Sequence, residues 1–300
     1  MQGILVKIVP FILIFLLGAV LRRIRFFQKE HADVFLKLVF FVSLPALILP
    51  SLAEIRLSPS LIFLPVIAIL IILCGFILSL TIGQLLHMRR QTFAVFVIGP
   101  MILNNIFAIP FVMAYFGEEG LSRIVIFDFG NILLCFTFVS YTACKFGGDT
   151  VSRKTLFKKL LYSPSIWAVF AGVVMNAGGI SMHEAGMNFL RLLGAMTVPL
   201  TMLSLGIYFT PRITETKPFI SAIVIRMGVG LLLGIAAVNL LHLEGLNRLI
   251  ILIGSSTPIG YATLTFASLE NLDREFASGL VSFSILLSIF LIPALIFLAQ

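Results

Sequence analysis

Gly99-Pro100-Met101-Ile102-Leu103-Asn104-Asn105-Ile106-Phe107-Ala108-Ile109-Pro110 and Gly254-Ser255-Ser256-Thr257-Pro258-Ile259-Gly260-Tyr261 interrupt two otherwise apolar helical stretches, at corresponding places in the two halves of the chain. Inside a bilayer no water satisfies a freed backbone N–H or C=O. A stretch rich in Gly, Pro, Asn and Ser is therefore tolerated there only where it lines a cavity or is covered by protein. One such break in each half is the sequence mark of a transporter's binding site.

The composition calls for that bilayer. Hydrophobic residues make up 60% of the 300 residues and charged residues 11%, with a mean hydropathy of +1.13; soluble domains hold about 45–50% apolar and about 25% charged residues. A hydrocarbon core ~30 Å thick is crossed by roughly 20 apolar residues. Ten stretches qualify, near residues 4–22, 32–53, 60–86, 91–116, 121–145, 164–180, 187–209, 218–241, 246–268 and 275–298. The expected fold is an all-α polytopic membrane protein of ten transmembrane helices, with the lipid bilayer as its solvent.

The net charge of +8 is a matter of topology. Fourteen basic residues fall in the loops after odd-numbered helices: Arg22, Arg23, Arg25, Lys29, Arg89, Arg90, Lys145, Arg153, Lys154, Lys158, Lys159, Arg212, Lys217 and Arg274. The other side holds little beyond Lys7, Arg56, Arg123 and Arg248. The positive-inside rule then places the odd loops in the cytoplasm of a cell (inner) membrane protein and both termini outside. No basic patch sits on a foldable soluble unit, which argues against nucleic acid as a partner. Met1-Gln2-Gly3 lacks a basic n-region and helix 1 runs straight into Arg22-Arg23, so helix 1 is expected to be retained rather than cleaved.

The chain reads as two five-helix halves. The spacing that brings Pro45 onto Pro199 also brings Asn104 onto Pro258. Each half has an odd number of spans, so the second enters the membrane in the opposite orientation and the two form an inverted repeat. The expected organisation is a first repeat over 1–146, a polar cytoplasmic linker over 147–163 and a second repeat over 164–300.

Asn104-Asn105-Ile106-Phe107-Ala108-Ile109-Pro110 followed by Tyr115-Phe116-Gly117-Glu118-Glu119-Gly120, together with Val198-Pro199-Leu200-Thr201-Met202-Leu203-Ser204-Leu205-Gly206-Ile207, resembles the auxin efflux carrier family. That family includes plant auxin exporters and bacterial carriers of malonate and other organic acids. Ala108 stands where a glycine is expected before the proline, and the long central cytoplasmic loop of many plant members is missing, which fits a compact, bacterial-type carrier. The resemblance implies two inverted five-helix repeats in which helices 4 and 9 unwind and cross at the bilayer centre. It further implies a scaffold of helices 1, 2, 6 and 7 and a moving unit of helices 3 to 5 and 8 to 10. A homodimer is the expected assembly.

An interrupted helix offers a positive N–H end to a carboxylate and a negative C=O end to a cation. Candidate substrate contacts are Asn104, Asn105, Pro110, Ser255, Ser256, Thr257, Pro258 and Tyr261. The carboxamides of Asn104 and Asn105 both donate and accept, so they serve either a substrate or the freed backbone. Pro110 and Pro258 have an alternative reading as plain kinks of the kind expected at Pro45, Pro50 and Pro199. Asp128 and Arg226 fall well inside spans, where a charge costs roughly 2.5–3.5 kcal/mol and marks a pathway or relay. Asp128 and Asn131 share a helix face. Either Asp128, Asn131 and Arg226 handle ions or protons beside the crossing, or Asp128 and Arg226 form a structural pair. Lys37 and Arg191 lie nearer helix ends, where long side chains snorkel.

Other chemistries find little support. Cys74, Cys135 and Cys144 lie in apolar helices without C-x-x-C spacing and read as small hydrophobes. His31, His87, His183 and His242 never repeat at ligand spacing, so no metal is expected. No phosphate-binding G-x-x-x-x-G-K-[ST] occurs, and no cofactor is implied. The expectation is a secondary transporter, not an enzyme, that exports a small organic anion such as an auxin-like carboxylate or a dicarboxylate. Elevator-type alternating access is its expected mechanism, with sodium or proton coupling left open. A sodium-coupled importer of the bile-acid symporter type is the alternative on the same fold; an intramembrane enzyme or a passive channel is the alternative of another class.

Overall fold

Phe63–Leu85 carries 23 residues without a charged side chain. At 1.5 Å per residue an α-helix of that length reaches ~35 Å, enough to cross a bilayer. The computed structural model describes residues 2–55, 58–147 and 162–298, with side chains from residue 8 onward; the expected linker lies almost wholly outside them. The described residues are helical, and a single antiparallel bridge, Leu103 with Ile259, is the one β-type pairing among them. Six helical runs are long and apolar enough to span a membrane: Lys29–Glu54, Pro59–Leu85, Asn105–Gly147, Glu184–Tyr208, Thr216–Leu240 and Arg274–Leu298.

In chain order the α-helices are α1 (Gln2–Arg23), α2 (Lys29–Leu38), α3 (Leu44–Glu54), α4 (Phe63–Leu85), α5 (Arg90–Met101) and α6 (Asn105–Leu134). They continue as α7 (Ser140–Gly147), α8 (Pro164–Ala177), α9 (Glu184–Gly194), α10 (Thr197–Tyr208) and α11 (Thr216–Ile223). The last four are α12 (Gly230–Leu240), α13 (Gly245–Ser255), α14 (Ala262–Leu269) and α15 (Arg274–Leu298). Wide π-helical turns at Val39–Ser43, Cys135–Val139 and Val224–Val229 join α2 to α3, α6 to α7 and α11 to α12. The first of these precedes Pro45, which has no N–H to donate and whose ring crowds the carbonyl four residues back, so the turn opens there. Within α6 the helix is kinked at Gly117, whose φ of 58° and ψ of −148° divide what the sequence reads as two successive spans.

The chain packs as two compact units, each drawing helices from both sequence halves. The first comprises the described residues of Met1–Leu61, Ile109–Ile126 and Leu161–Phe209. Within it α1 lies along α10, and α3 lies along α8 and α9. The exposed carbonyl end of α3 is closed by Asn176 Nδ2, which donates to Leu52 O, Ala53 O and Ile55 O at 3.2, 2.9 and 2.6 Å. Arg191, near the end of α9, pairs with Glu54 at 3.0 Å. The Tyr208 hydroxyl donates to Asp33. The second unit comprises the described residues of Ile62–Ala108, Phe127–Leu160 and Thr210–Gln300. Here α4 packs on α5, α12 on α13 and α14 on α15.

Candidate functional site

Both interrupted stretches meet inside the second unit. α5 ends at Met101, residues 102–104 leave the helix, and α6 starts at Asn105 with Asn104 as its N-cap. α13 ends at Ser255, and α14 starts at Ala262. The two unwound segments run antiparallel, the Asn104 amide donating to Pro258 O at 3.1 Å and the Gly260 amide to Ile102 O at 2.9 Å. Each break thereby satisfies part of the other's freed backbone, as a water-free interior requires. Gly99–Asn105 and Ile253–Gly260 are buried throughout.

Three further backbone groups are met from α6 and α15. Asn131 works as a two-point clamp on Leu103: the Leu103 amide donates to Asn131 Oδ1 at 3.1 Å and Asn131 Nδ2 donates to Leu103 O at 3.2 Å. Across the bridge, the Ile259 amide donates to Ser284 Oγ at 3.1 Å. Asn131 Nδ2 also donates to Asp128 Oδ1 at 2.7 Å, and Asn105 Nδ2 donates to the same oxygen at 2.8 Å. A carboxylate thus sits, partly exposed, beside the first turn of α6, where the helix dipole favours negative charge.

Arg226 occupies the opposite electrostatic position. It lies in the π-helical turn after α11, is 1% exposed, and reaches the carbonyl end of α13. Its Nε donates to Thr257 O at 3.0 Å; its Nη2 donates to Ser255 O at 2.9 Å, Gly254 O at 3.3 Å and Thr257 Oγ1 at 3.4 Å. Close approach of α12 makes this reach short enough. A Cβ at Gly230 would collide with Ser255 O, and one at Gly234 with Ser255 Oγ. Among the described residues, Asp128 and Arg226 form no ion pair with each other; each serves a different break.

The sequence-derived candidates divide by what their side chains do. Ser255 and Ser256 hydroxyls donate to Leu252 O, and that of Thr257 to Gly254 O, so all three close the end of their own helix. Asn104 Oδ1 accepts from the Phe107 amide, capping α6. By contrast Asn104 Nδ2 and Asn105 Oδ1 are buried with no partner in the structure, one donor and one acceptor open at the crossing. Pro258 contributes its carbonyl, and Tyr261 is half-buried just before α14. Pro110 falls inside α6, within the Ile109–Ile126 stretch of the first unit, so the unwound segment is shorter than the Gly99–Pro110 string suggests. Ser284 is the residue that sequence reading missed. The serines at 278, 282, 284 and 288 in an apolar span were the available signal. No cluster of three His, Cys, Asp or Glu side chains suited to a metal occurs among the described residues.

Comparison with known proteins bears on what such a crossing is for. A family model described as membrane transport protein matches residues 3–296. The chain belongs to this membrane transport family, that of the auxin efflux carriers. An uncharacterized transporter of Methanothermobacter thermautotrophicus is 29% identical over 287 residues, covering 93% of this chain and 92% of the relative. Another, from Methanocaldococcus jannaschii, is 25% identical over 256 residues, covering 82% of each chain. The membrane transport family thus runs through nearly the whole sequence, and this member is a multi-pass membrane protein.

Proposed function

We propose that this chain is a secondary transporter that exports a small organic anion, an auxin-like carboxylate or a dicarboxylate, by elevator-type alternating access. The observation that carries the reading is the pair of open polar atoms at the crossing. Asn104 Nδ2, 6% exposed at residue level, is a donor without an acceptor, and it stands at the N-terminus of α6 where positive dipole charge accumulates. A carboxylate supplies the missing acceptor. In this reading the ten transmembrane helices form two inverted repeats, 1–146 and 164–300, joined by a cytoplasmic linker, with helices 4 and 9 broken and both termini extracytoplasmic. The unit that holds the crossing carries the substrate, and the working assembly is a homodimer in the cell membrane.

Asn105 Oδ1, an open acceptor beside Asp128, favours cation or proton coupling through that cluster and keeps the sodium-coupled importer as the second reading. Counterflow of radiolabelled mono- and dicarboxylates in proteoliposomes tests the main one. The expected result is saturable exchange that is strongly reduced by Asn105→Ala and by Pro258→Ala, while both variants still fold. Unchanged kinetics in both would move the site away from the crossing, and unsaturable flux would make the protein a channel.

A further inference from the structure

The carbonyl end of a broken transmembrane helix is electronegative, and where the chain unwinds in such proteins those carbonyls commonly coordinate a cation. At the α13 break the position is already filled by this chain's own side chain. Gly254 O, Ser255 O, Thr257 O and Thr257 Oγ1 all accept from the Arg226 guanidinium at 2.9 to 3.4 Å. The same oxygens cannot coordinate a metal cation while the guanidinium holds them, and a side chain 1% exposed does not exchange with solvent. The α5 break differs. Its carbonyls are met by neutral donors, Asn131 Nδ2 on Leu103 O and the Gly260 amide on Ile102 O. The nearby anionic group is Asp128, and an open acceptor, Asn105 Oδ1, stands next to it.

We propose that Arg226 is a tethered cation permanently occupying the α13 break, so that Na+ has no site there and any coupling ion is confined to the Asp128–Asn105 cluster. The proposal rests on the crossing being the transport site, yet its test reads stability and needs no substrate, so failure of the transport reading and failure of this one are separable. A guanidinium makes directed bonds to several carbonyls at once, which an amine reproduces in charge but not in geometry.

The experiment uses the full-length carrier in detergent. Arg226→Gln and Arg226→Ala should lower Tm by at least about 5 °C, and Arg226→Lys should fall between them and the wild type. Millimolar guanidinium chloride or NaCl should restore part of the loss in Arg226→Ala, and choline chloride at equal ionic strength should not. A variant indifferent to small cations, with Arg226→Lys no better than Arg226→Gln, overturns the proposal. If Arg226→Ala does not fold, the order of the Lys and Gln variants decides alone. On the wild type, a saturable Na+-specific rise in Tm that persists in Asp128→Asn would also overturn it.

Discussion

Removing the Asn131 carboxamide should be among the most damaging single truncations at the crossing. Asn131 is 7% exposed and Leu103 is 3% exposed, so the two Leu103 backbone groups it serves have no access to water. Asn131→Ala orphans both the Leu103 amide and the Leu103 carbonyl. Each buried polar group left unsatisfied costs about 1–3 kcal/mol, giving about 2–6 kcal/mol for the pair. Ser284→Ala is the internal comparison. It orphans one amide, that of Ile259, on the other strand of the same bridge and should cost about 1–3 kcal/mol. Asn131→Asp adds a sign. It keeps the acceptor for the Leu103 amide, loses the donor to Leu103 O, and replaces a bond to Asp128 with a second carboxylate at the same contact. Chemical unfolding of the purified carrier, followed by far-UV circular dichroism in mild detergent, should rank stability as wild type, Ser284→Ala, then Asn131→Ala, with Asn131→Asp no better than Asn131→Ala. Equal losses in Ser284→Ala and Asn131→Ala would refute the accounting of orphaned groups.

Asp128→Asn with Arg226→Gln should lose stability additively, because the two serve different breaks, and a double variant more stable than Arg226→Gln alone in thermal denaturation would point to a coupled pair. Gly260→Ala places a methyl group against Ile102 Cγ2 and should lower Tm; adding Ile102→Ala should recover part of the loss, and no recovery would locate the strain elsewhere. Asn176→Ala leaves Leu52 O, Ala53 O and Ile55 O short of a shared donor and should destabilise the first unit by about 1–3 kcal/mol, read as early proteolytic cleavage near residue 55. Cysteine in place of Tyr162, a residue 78% exposed at the end of the linker, should react with an impermeant maleimide only after intact cells are opened; labelling of Tyr162→Cys from outside would invert the proposed topology.

The helices and the two breaks were legible because their signals are local: uncharged apolar runs such as Phe63–Leu85, and Gly, Pro, Asn and Ser where a bilayer should forbid them. That Asp128 and Arg226 have partners inside the protein also followed from the cost of charge in hydrocarbon. What each one binds did not. From sequence, Arg226 reads as part of an ion or proton site or as a partner of Asp128; its bonds to the end of α13 depend on the close approach of Gly230 and Gly234 to Ser255, and that approach is a property of packing. Pro110 misled in the opposite direction. A proline after two asparagines looks like part of the unwound segment, yet it falls at the sixth residue of α6, beyond the four N–H groups that lack intrahelical partners, and forfeits one bond to the Ile106 carbonyl while the helix continues. Ser284 was hidden because a serine in a span is ordinary until a backbone amide is found pointing at it.

The bridge between Leu103 and Ile259 has a bearing on how the protein is made. Residues 102–104 need the Pro258 carbonyl and the Gly260 amide to be satisfied, and these are translated more than a hundred and fifty residues later. Through most of synthesis, then, the first half has a severed span whose Ile102 carbonyl and Asn104 amide have no lasting partner. Such a segment resists entering lipid by itself, because each unmet group costs several kcal/mol there. Insertion of the first break should consequently be delayed, or sheltered by the insertion machinery, until the last third of the chain arrives. A ribosome stalled before residue 258 should leave the segment around Asn104 open to aqueous thiol reagents that the finished carrier excludes.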